Sequence, residues 1–231
     1  VFEEHTKIQL MRYEVYKEIE WDMGHRVYTQ QLNQELALTS YCKCRHLHGH
    51  RYKARVYVTT HKWLGDVVID FTHYNFLKKL IDDFMDHRFM LSVDDPLFDV
   101  FMYDIDLAIK SSNLDNLTIA VLSPDIDDLV VYKIKGPDFK DVISWSQDLE
   151  ALKKEVSLFV AVLQTPIENR DTELIRSFVF VNFVPTAENI GVFVGRLLQK
   201  ILDKHNLTWL KVTKVELFET PKSVAVIHFT D

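Results

Sequence analysis

The chain has 231 residues, 47% of them hydrophobic and 12% aromatic, enough to bury a sizeable core as one large domain or two small ones. Six glycines, six prolines and no long polar tract leave little room for a disordered linker. A formal charge of −7 opposes binding along a phosphate backbone, which argues against nucleic acid as a partner, and no apolar run approaches membrane-spanning length.

The stretch VFEEHTKIQLMRYEVYKEIEWD is charged throughout and lacks the apolar centre of a secretion signal, so a soluble, cytoplasmic protein is expected. Cys42 and Cys44 are the only cysteines. Two positions apart on an extended chain they are poorly placed to bridge each other, and both are expected as free thiols in a reducing compartment.

From Tyr13 to His25 apolar residues alternate at Tyr13, Val15, Ile19, Trp21 and Met23, interrupted by Lys17, which marks a strand ending in a histidine. Arg26 to Arg45 is expected as a long loop. The stretch CRHLHGHRYKARVYV, Cys44 to Val58, leads into a second strand over Leu47 to Thr59. On a strand His48 and His50 share a face with Tyr52, Ala54, Val56 and Val58, while Arg51, Lys53, Arg55 and Tyr57 face the other way. Two imidazoles thus lead an inward apolar row, where each needs a partner. Antiparallel pairing of the two strands sets the end of one beside the start of the next and gathers His25, His48 and His50.

After the short strand VVIDF, the residues Phe76, Leu77, Leu80, Ile81 and Phe84 recur at helical spacing, with Asp70 or Thr72 as a cap, and DHRFML leaves that helix near Met85. Between Leu97 and Arg176 the pattern is less regular. LTIAVL and LVVYKIKG suggest strands and Gln147 to Leu163 a helix, so residues 97–176 are expected as an inserted α/β elaboration, peripheral to a core made of residues 1–96 and 177–231. FVFVNFV is a strand, and PTAEN starts a helix carrying Ile190, Phe193, Val194, Leu197, Leu198 and Ile201 on one side, with Thr186 as its cap. KVTKVELFETPKSVAVIHF gives two strands around the turn Thr220-Pro221-Lys222-Ser223, with Glu219 sharing the parity of Val215 and Leu217.

His25, His48 and His50 offer three neutral nitrogen ligands. Zn²⁺ held by three protein ligands keeps a position for water or substrate and points to catalysis. Closure of the shell by Cys44 would make a structural site, and histidines satisfied by backbone or carboxylate groups need no metal.

The segments MGHRV, CRHLHGHRY, VVIDF, MDHRF, PTAEN and FETP, taken together and in this order, resemble the 6-pyruvoyltetrahydropterin synthase and 6-carboxytetrahydropterin synthase family. The resemblance covers Tyr13 to Pro96 and Phe178 to Phe229. It implies an α+β tunnelling fold, an antiparallel four-stranded sheet with two helices on one face, whose subunits associate side by side as a homo-oligomer, a hexamer of two trimers with sites at subunit interfaces. It also implies a zinc enzyme acting on 7,8-dihydroneopterin triphosphate. His25, His48 and His50 match the zinc ligands, Cys44 the catalytic thiol, Asp86 with His87 a second acid/base element, and Glu219 the glutamate that anchors the pterin. Thr186 is a further candidate substrate contact and, most simply, a helix cap.

The three-residue gap between Cys44 and His48 resembles the carboxy-forming bacterial branch, 6-carboxy-5,6,7,8-tetrahydropterin synthase, used in making queuosine-type deazaguanines. That reaction releases acetaldehyde and triphosphate; the alternatives are the pyruvoyl-forming reaction and a non-catalytic zinc-binding assembly protein. Cys44, near a dication and His46, is expected to have a lowered pKa and to act as general base. His87, past a helix C-terminus and beside Asp86, suits proton donation. The amino group and ring N–H of a pterin would satisfy an inward Glu219. Taken singly, Asp86 and His87 make an ordinary solvated helix end, Glu219 an exposed residue before a turn, His46 a loop residue, and Cys42 carries no role. Compact family members lack a segment like Leu97 to Arg176, which leaves it as a lid, an oligomer contact or a binding surface.

Overall fold

Alternation along the first two strands positions everything else. The computed structural model describes residues 13–36, 42–60, 67–92, 94–98, 100–101, 117–122, 130–134, 142–144 and 177–230. Strand β1 runs over Glu14–His25 and β2 over His48–Thr60. Ile19, Trp21, Met23 and His25 on β1 and Tyr52, Ala54, Val56 and Val58 on β2 are all buried. The strands pair antiparallel from Glu14↔Thr59 to His25↔His48, with Met23 opposite His50. Lys17, the polar interruption, reaches Asn75 at 2.5 Å with its ammonium group and so bridges the strand to a helix above it.

The connection expected as a plain loop is partly helical. Helix α1 covers Thr29–Leu32, and 3-10 turns cover Gln34–Leu36 and Lys43–Arg45. The Val27 N–H donates to the Cys44 carbonyl at 2.8 Å and ties the two ends of the connection together.

Helix α2, Thr72–Phe84, buries Tyr74, Leu77 and Ile81, followed by Met85 just beyond its end. That i, i+3, i+4 stripe packs on the sheet, and full burial of a large apolar side chain contributes about 1.5–3 kcal/mol. Of the two expected caps it is Asp70 that serves, its Oδ1 accepting the Thr72 N–H at 2.8 Å. The Tyr74 hydroxyl donates to the Val56 carbonyl at 2.9 Å and pins the helix to β2. After α2 the backbone turns sharply through His87, whose φ of 57° lies in the left-handed region.

Helix α3, Ala187–Lys204, lies on the same layer and buries Ile190, Phe193, Val194, Leu198, Ile201 and Leu202. Thr186 caps it by accepting the Asn189 N–H at 3.3 Å. A side chain at Gly195 would run into Phe229 and Val215, so glycine there lets α3 settle on the sheet.

The sheet departs from the four strands expected. β1, β2, β8 (Leu210–Thr220) and β9 (Ser223–His228) do form an antiparallel block. They belong, however, to a mixed sheet of nine described strands, ordered β6-β5-β4-β7-β3-β1-β2-β8-β9. β3, Arg88–Ser92, pairs parallel to β1, and β7, Phe178–Val181, pairs parallel to β3. Met90, Leu91 and all four residues of β7 are buried, the continuous apolar run of interior parallel strands rather than the alternation of a half-exposed one. β4 (Leu117–Leu122), β5 (Val130–Ile134) and β6 (Val142–Ser144) continue the sheet outward, joined through parallel contacts of β4 with β7 at Val121↔Phe180 and Leu122↔Val181. The helix expected over Gln147 to Leu163 lies outside the described residues. Among those described, no helix is long and apolar enough to cross a membrane.

Candidate metal centre and its surroundings

The β1–β2 register places His25 directly opposite His48, and His50 one inward step away, opposite Met23. The ring centroids lie 4.5 Å apart for His25 and His48, 4.9 Å for His48 and His50, and 5.3 Å for His25 and His50. One ring nitrogen from each falls within 4.8 Å of the others, the one metal-capable cluster among the described residues.

Backbone carbonyls fix the tautomers of two of these rings. The Nδ1 of His25 lies 2.6 Å from the Pro185 carbonyl, and the Nδ1 of His48 lies 2.8 Å from the His46 carbonyl. A carbonyl can only accept, so in the neutral ring each Nδ1 carries the hydrogen and each Nε2 presents a lone pair. Both Nε2 atoms are buried without a hydrogen-bond partner. The Glu219 Oε1 stands 3.2 Å from the Nε2 of His25, off hydrogen-bond geometry, and 3.7 Å from the Nε2 of His50. Lone pairs facing a carboxylate oxygen repel one another, and either a proton on the imidazole or a metal cation among them removes that conflict. The donor set therefore fits a divalent metal favoured by nitrogen ligands, with the two carbonyls in the outer supporting role usual for ligating histidines.

Local sequence explains each placement. Glu219 is the extra residue of a bulge: β8 and β9 pair at Phe218↔Val224 and next at Thr220↔Ser223. A bulge re-aims a side chain, here toward His25. Contact with His25 holds the Glu219 carboxyl below the usual carboxylate range, against burial that raises it, with the charges of His50 and His48 adding to the lowering. Burial pushes the pKa of His50 down, while Glu219 partly opposes that. Arg26, next to His25, forms a buried ion pair with Asp95, Nε to Oδ2 3.0 Å, and so fixes the chain where β1 ends.

Cys44 interacts electrostatically with Glu219, and the protein groups around it act against the lowering expected from a nearby dication. Burial pushes the thiol up first, and the adjacent Cys42 thiol and the negative Glu219 add to it. The expected lowering rests on a nearby dication, whose charge would oppose these protein groups. Tyr52 was given no role from the sequence. Its hydroxyl is buried without a hydrogen-bond partner, and its ring stands edge-on to His25 at 5.7 Å and to His50 at 5.8 Å. Its pKa is raised by burial and then by the charges of Glu219 and Cys44.

Asp86 and His87 sit elsewhere. Asp86 Oδ1 accepts the Asp22 N–H at 2.8 Å, and its Oδ2 lies 3.0 Å from the Nδ1 of His87. Burial pushes the Asp86 carboxyl up, but the Asp22 N–H and His87 outweigh it and hold the group below its ordinary range. His87 is 78% exposed and borders an open depression of about 450 Å³ with Asp22, Gly24, Gly49, Arg51 and Arg88. Asp22, Gly24, Gly49 and Arg51 have the strand parity opposite to His25, His48 and His50, and His50 is the wall that the two regions share. Within one chain, then, the structure gathers His25, His48, His50 and Glu219, with Cys44 in electrostatic reach of Glu219, whereas His87, paired with Asp86, borders a depression lined mainly by residues of the opposite strand parity. Thr186 is occupied as a helix cap.

The chain is similar to several known proteins. A protein from Aquifex aeolicus named 6-carboxy-5,6,7,8-tetrahydropterin synthase is 37% identical over 95 residues, 38% of this chain and 58% of that protein. A protein of the same name from Rickettsia conorii is 39% identical over 82 residues, 34% of this chain and 51% of that protein. The chain thus spans between half and three-fifths of the length of these relatives. The crystal structure of an uncharacterized protein from Wolinella succinogenes superposes with a TM-score of 0.61 at 31% identity, covering 94% of this chain and 98% of that one. A match of that breadth takes in much of the segment between β3 and β7 as well as the antiparallel block. Residues 14–229 match the family described as 6-pyruvoyl tetrahydropterin synthase, and the chain belongs to that family.

Proposed function

We propose that the chain is a zinc-dependent 6-carboxy-5,6,7,8-tetrahydropterin synthase. It would convert 7,8-dihydroneopterin triphosphate to 6-carboxytetrahydropterin with release of acetaldehyde and triphosphate, in the biosynthesis of queuosine-type deazaguanines. The observation that carries this is the convergence of three imidazoles, two with tautomers fixed by carbonyls so that bare Nε2 lone pairs face one space beside a carboxylate. The names of the Aquifex and Rickettsia relatives support the carboxy-forming branch.

His25, His48 and His50 would hold Zn²⁺, which when bound supplies Lewis-acid chemistry toward the hydroxylated side chain of the pterin. Glu219 orients the substrate: its carboxylate, aimed inward by the bulge, accepts the paired N–H donors of the pterin edge. Cys44 acts as the base that takes a proton from the side chain, and a cation in the neighbouring histidine cluster favours its thiolate. His87, exposed and held at Nδ1 by Asp86, offers its Nε2 outward for proton donation.

Because the two halves lie on opposite sides of the β1–β2 end, the reading includes a homo-oligomer, in the first instance a hexamer, with His87 of one copy meeting the histidine cluster of another. The edge strand β9, with Val224 and Val226 nearly half exposed, offers unpaired backbone and apolar surface for such association. Thr186 lies just before α3, next to the Pro185 carbonyl that orients His25, and from there would reach substrate from its capping position. The negative charge and the soluble enzyme family support a cytoplasmic protein without nucleic-acid partners.

The test is incubation of metal-loaded protein with 7,8-dihydroneopterin triphosphate. Acetaldehyde and triphosphate in equal amounts are the expected products. Triphosphate alone, with all side-chain carbons retained on the pterin, would assign the pyruvoyl-forming reaction, and no turnover would assign a binding role.

A further inference from the structure

Cys42 has no part in the chemistry above, yet its geometry ties it to Cys44. The sequence places the two thiols on an extended chain, where Cα atoms two residues apart are nearly 7 Å from each other, beyond disulfide range. The structure instead puts Lys43 in a 3-10 turn over Lys43–Arg45. A helical middle residue brings such Cα atoms to about 5–5.5 Å, inside the window of roughly 4.4–6.8 Å that disulfides occupy.

The turn is held from both sides. The Val27 N–H donates to the Cys44 carbonyl at 2.8 Å, and the His46 N–H closes the turn on the Lys43 carbonyl at 3.0 Å. Both cysteines are free and half-buried. The Cys42 thiol donates to Gln30 Oε1 at 2.8 Å and interacts with the Cys44 thiol, its neighbour across the turn. We propose that Cys42 and Cys44 form a reversible intramolecular disulfide in the presence of a low-molecular-weight disulfide of the glutathione class, and that this bond takes the Cys44 thiol out of use.

The exchange balances without other reactants. One cysteine thiolate attacks the oxidant's sulfur, forming a mixed disulfide and releasing one small thiol. The second cysteine then attacks the protein-side sulfur and releases the other. One S–S bond in the oxidant is replaced by one in the protein; the cysteines lose two electrons and two protons, and the oxidant gains them as two thiols. The small ring closed by residues two apart is strained, hence readily reduced again, which suits a switch rather than a staple.

The loss of activity rests on the role proposed for Cys44, whereas the cross-link does not. The test exposes metal-loaded full-length protein to glutathione disulfide, then alkylates it and measures intact mass, peptide map and turnover before and after dithiothreitol. The expected result is loss of both alkylatable thiols, no retained glutathione, a linked Cys42–Cys44 peptide, and turnover reduced at least about tenfold and restored by reductant. Cys42→Ser is expected to turn over normally when reduced and to give no intramolecular link. Retention of both alkylatable thiols in the wild type, or stable glutathione adducts on it, would overturn the proposal. So would a link that leaves turnover unchanged. If the reduced wild type shows no turnover at all, the functional reading fails, while the mass measurement still decides the cross-link.

Discussion

The two sides of the β1–β2 end are built from adjacent residues of the same strands and carry opposite chemistry. On one side His25, His48 and His50 crowd around buried Nε2 atoms, closed in by Tyr52 and Glu219. On the other, Gly24 faces Gly49 across the ladder, the Phe89 ring packs against Gly24, and both glycines border the depression with His87 and Arg51. Strand alternation separates the histidine cluster from the more solvated face by one residue of register. In the proposed reading each side is half a site, one to hold a cation and the other to exchange protons with a neighbouring copy.

Breaking the buried side should have the largest effect. His48→Ala removes a ligand, and bound metal is expected to fall from one equivalent to near zero with activity lost by at least about 10³-fold, read by elemental analysis and acetaldehyde release. Cys44→Ala leaves the three imidazoles intact, so metal content should stay at one equivalent while turnover drops roughly 10²–10⁴-fold, the usual range for a lost general base. Full activity in Cys44→Ala would refute its assignment as base.

Mixing sharpens the comparison further. If each complete site takes its histidines from one copy and His87 from another, His48→Ala and His87→Ala chains, each inactive alone, should regain about one quarter of wild-type activity when unfolded together and reassembled in equal amounts. No recovery in verified mixed oligomers would place both halves in one chain.

Asp86→Asn tests the exposed side through stability. The Asp86 carboxyl has a depressed folded-state pKa, so its contribution is present above the ordinary aspartate pKa of about 4 and fades as pH falls through the folded value. The wild type should therefore exceed the variant by about 1 kcal/mol at neutral pH in urea unfolding, with the gap closing below about pH 4. A gap that is constant with pH would contradict this. Tyr52→Phe should change least: its hydroxyl has no hydrogen-bond partner, so thermal stability is expected to stay level or rise by up to about 1 kcal/mol.

The convergence of the histidines was legible because it depends only on side-chain alternation and antiparallel pairing, both written in the apolar pattern of Ile19 to Met23 and Tyr52 to Val58. What gives those rings their direction was not. The Pro185 carbonyl that orients His25 lies 160 residues away, and nothing local marks it. The inward aim of Glu219 was legible from its parity with Val215 and Leu217, but the bulge between Phe218 and Thr220 was not, since it leaves no trace in hydrophobic alternation. The four-stranded expectation missed β3 and β7 as central strands, because short, fully apolar runs such as Phe178–Val181 do not announce their neighbours. The 3-10 turn over Lys43–Arg45, between the two cysteines, was not legible either, because nothing in the alternation that leads into β2 marks it.

X-ray absorption at the zinc edge of the purified protein bears most directly on the account. It predicts one equivalent of zinc with three imidazole nitrogens at about 2.0–2.1 Å and a further light atom, oxygen or nitrogen, completing the shell. Absence of stoichiometric metal, or a sulfur neighbour at about 2.3 Å that makes Cys44 a ligand instead of a base, would contradict it.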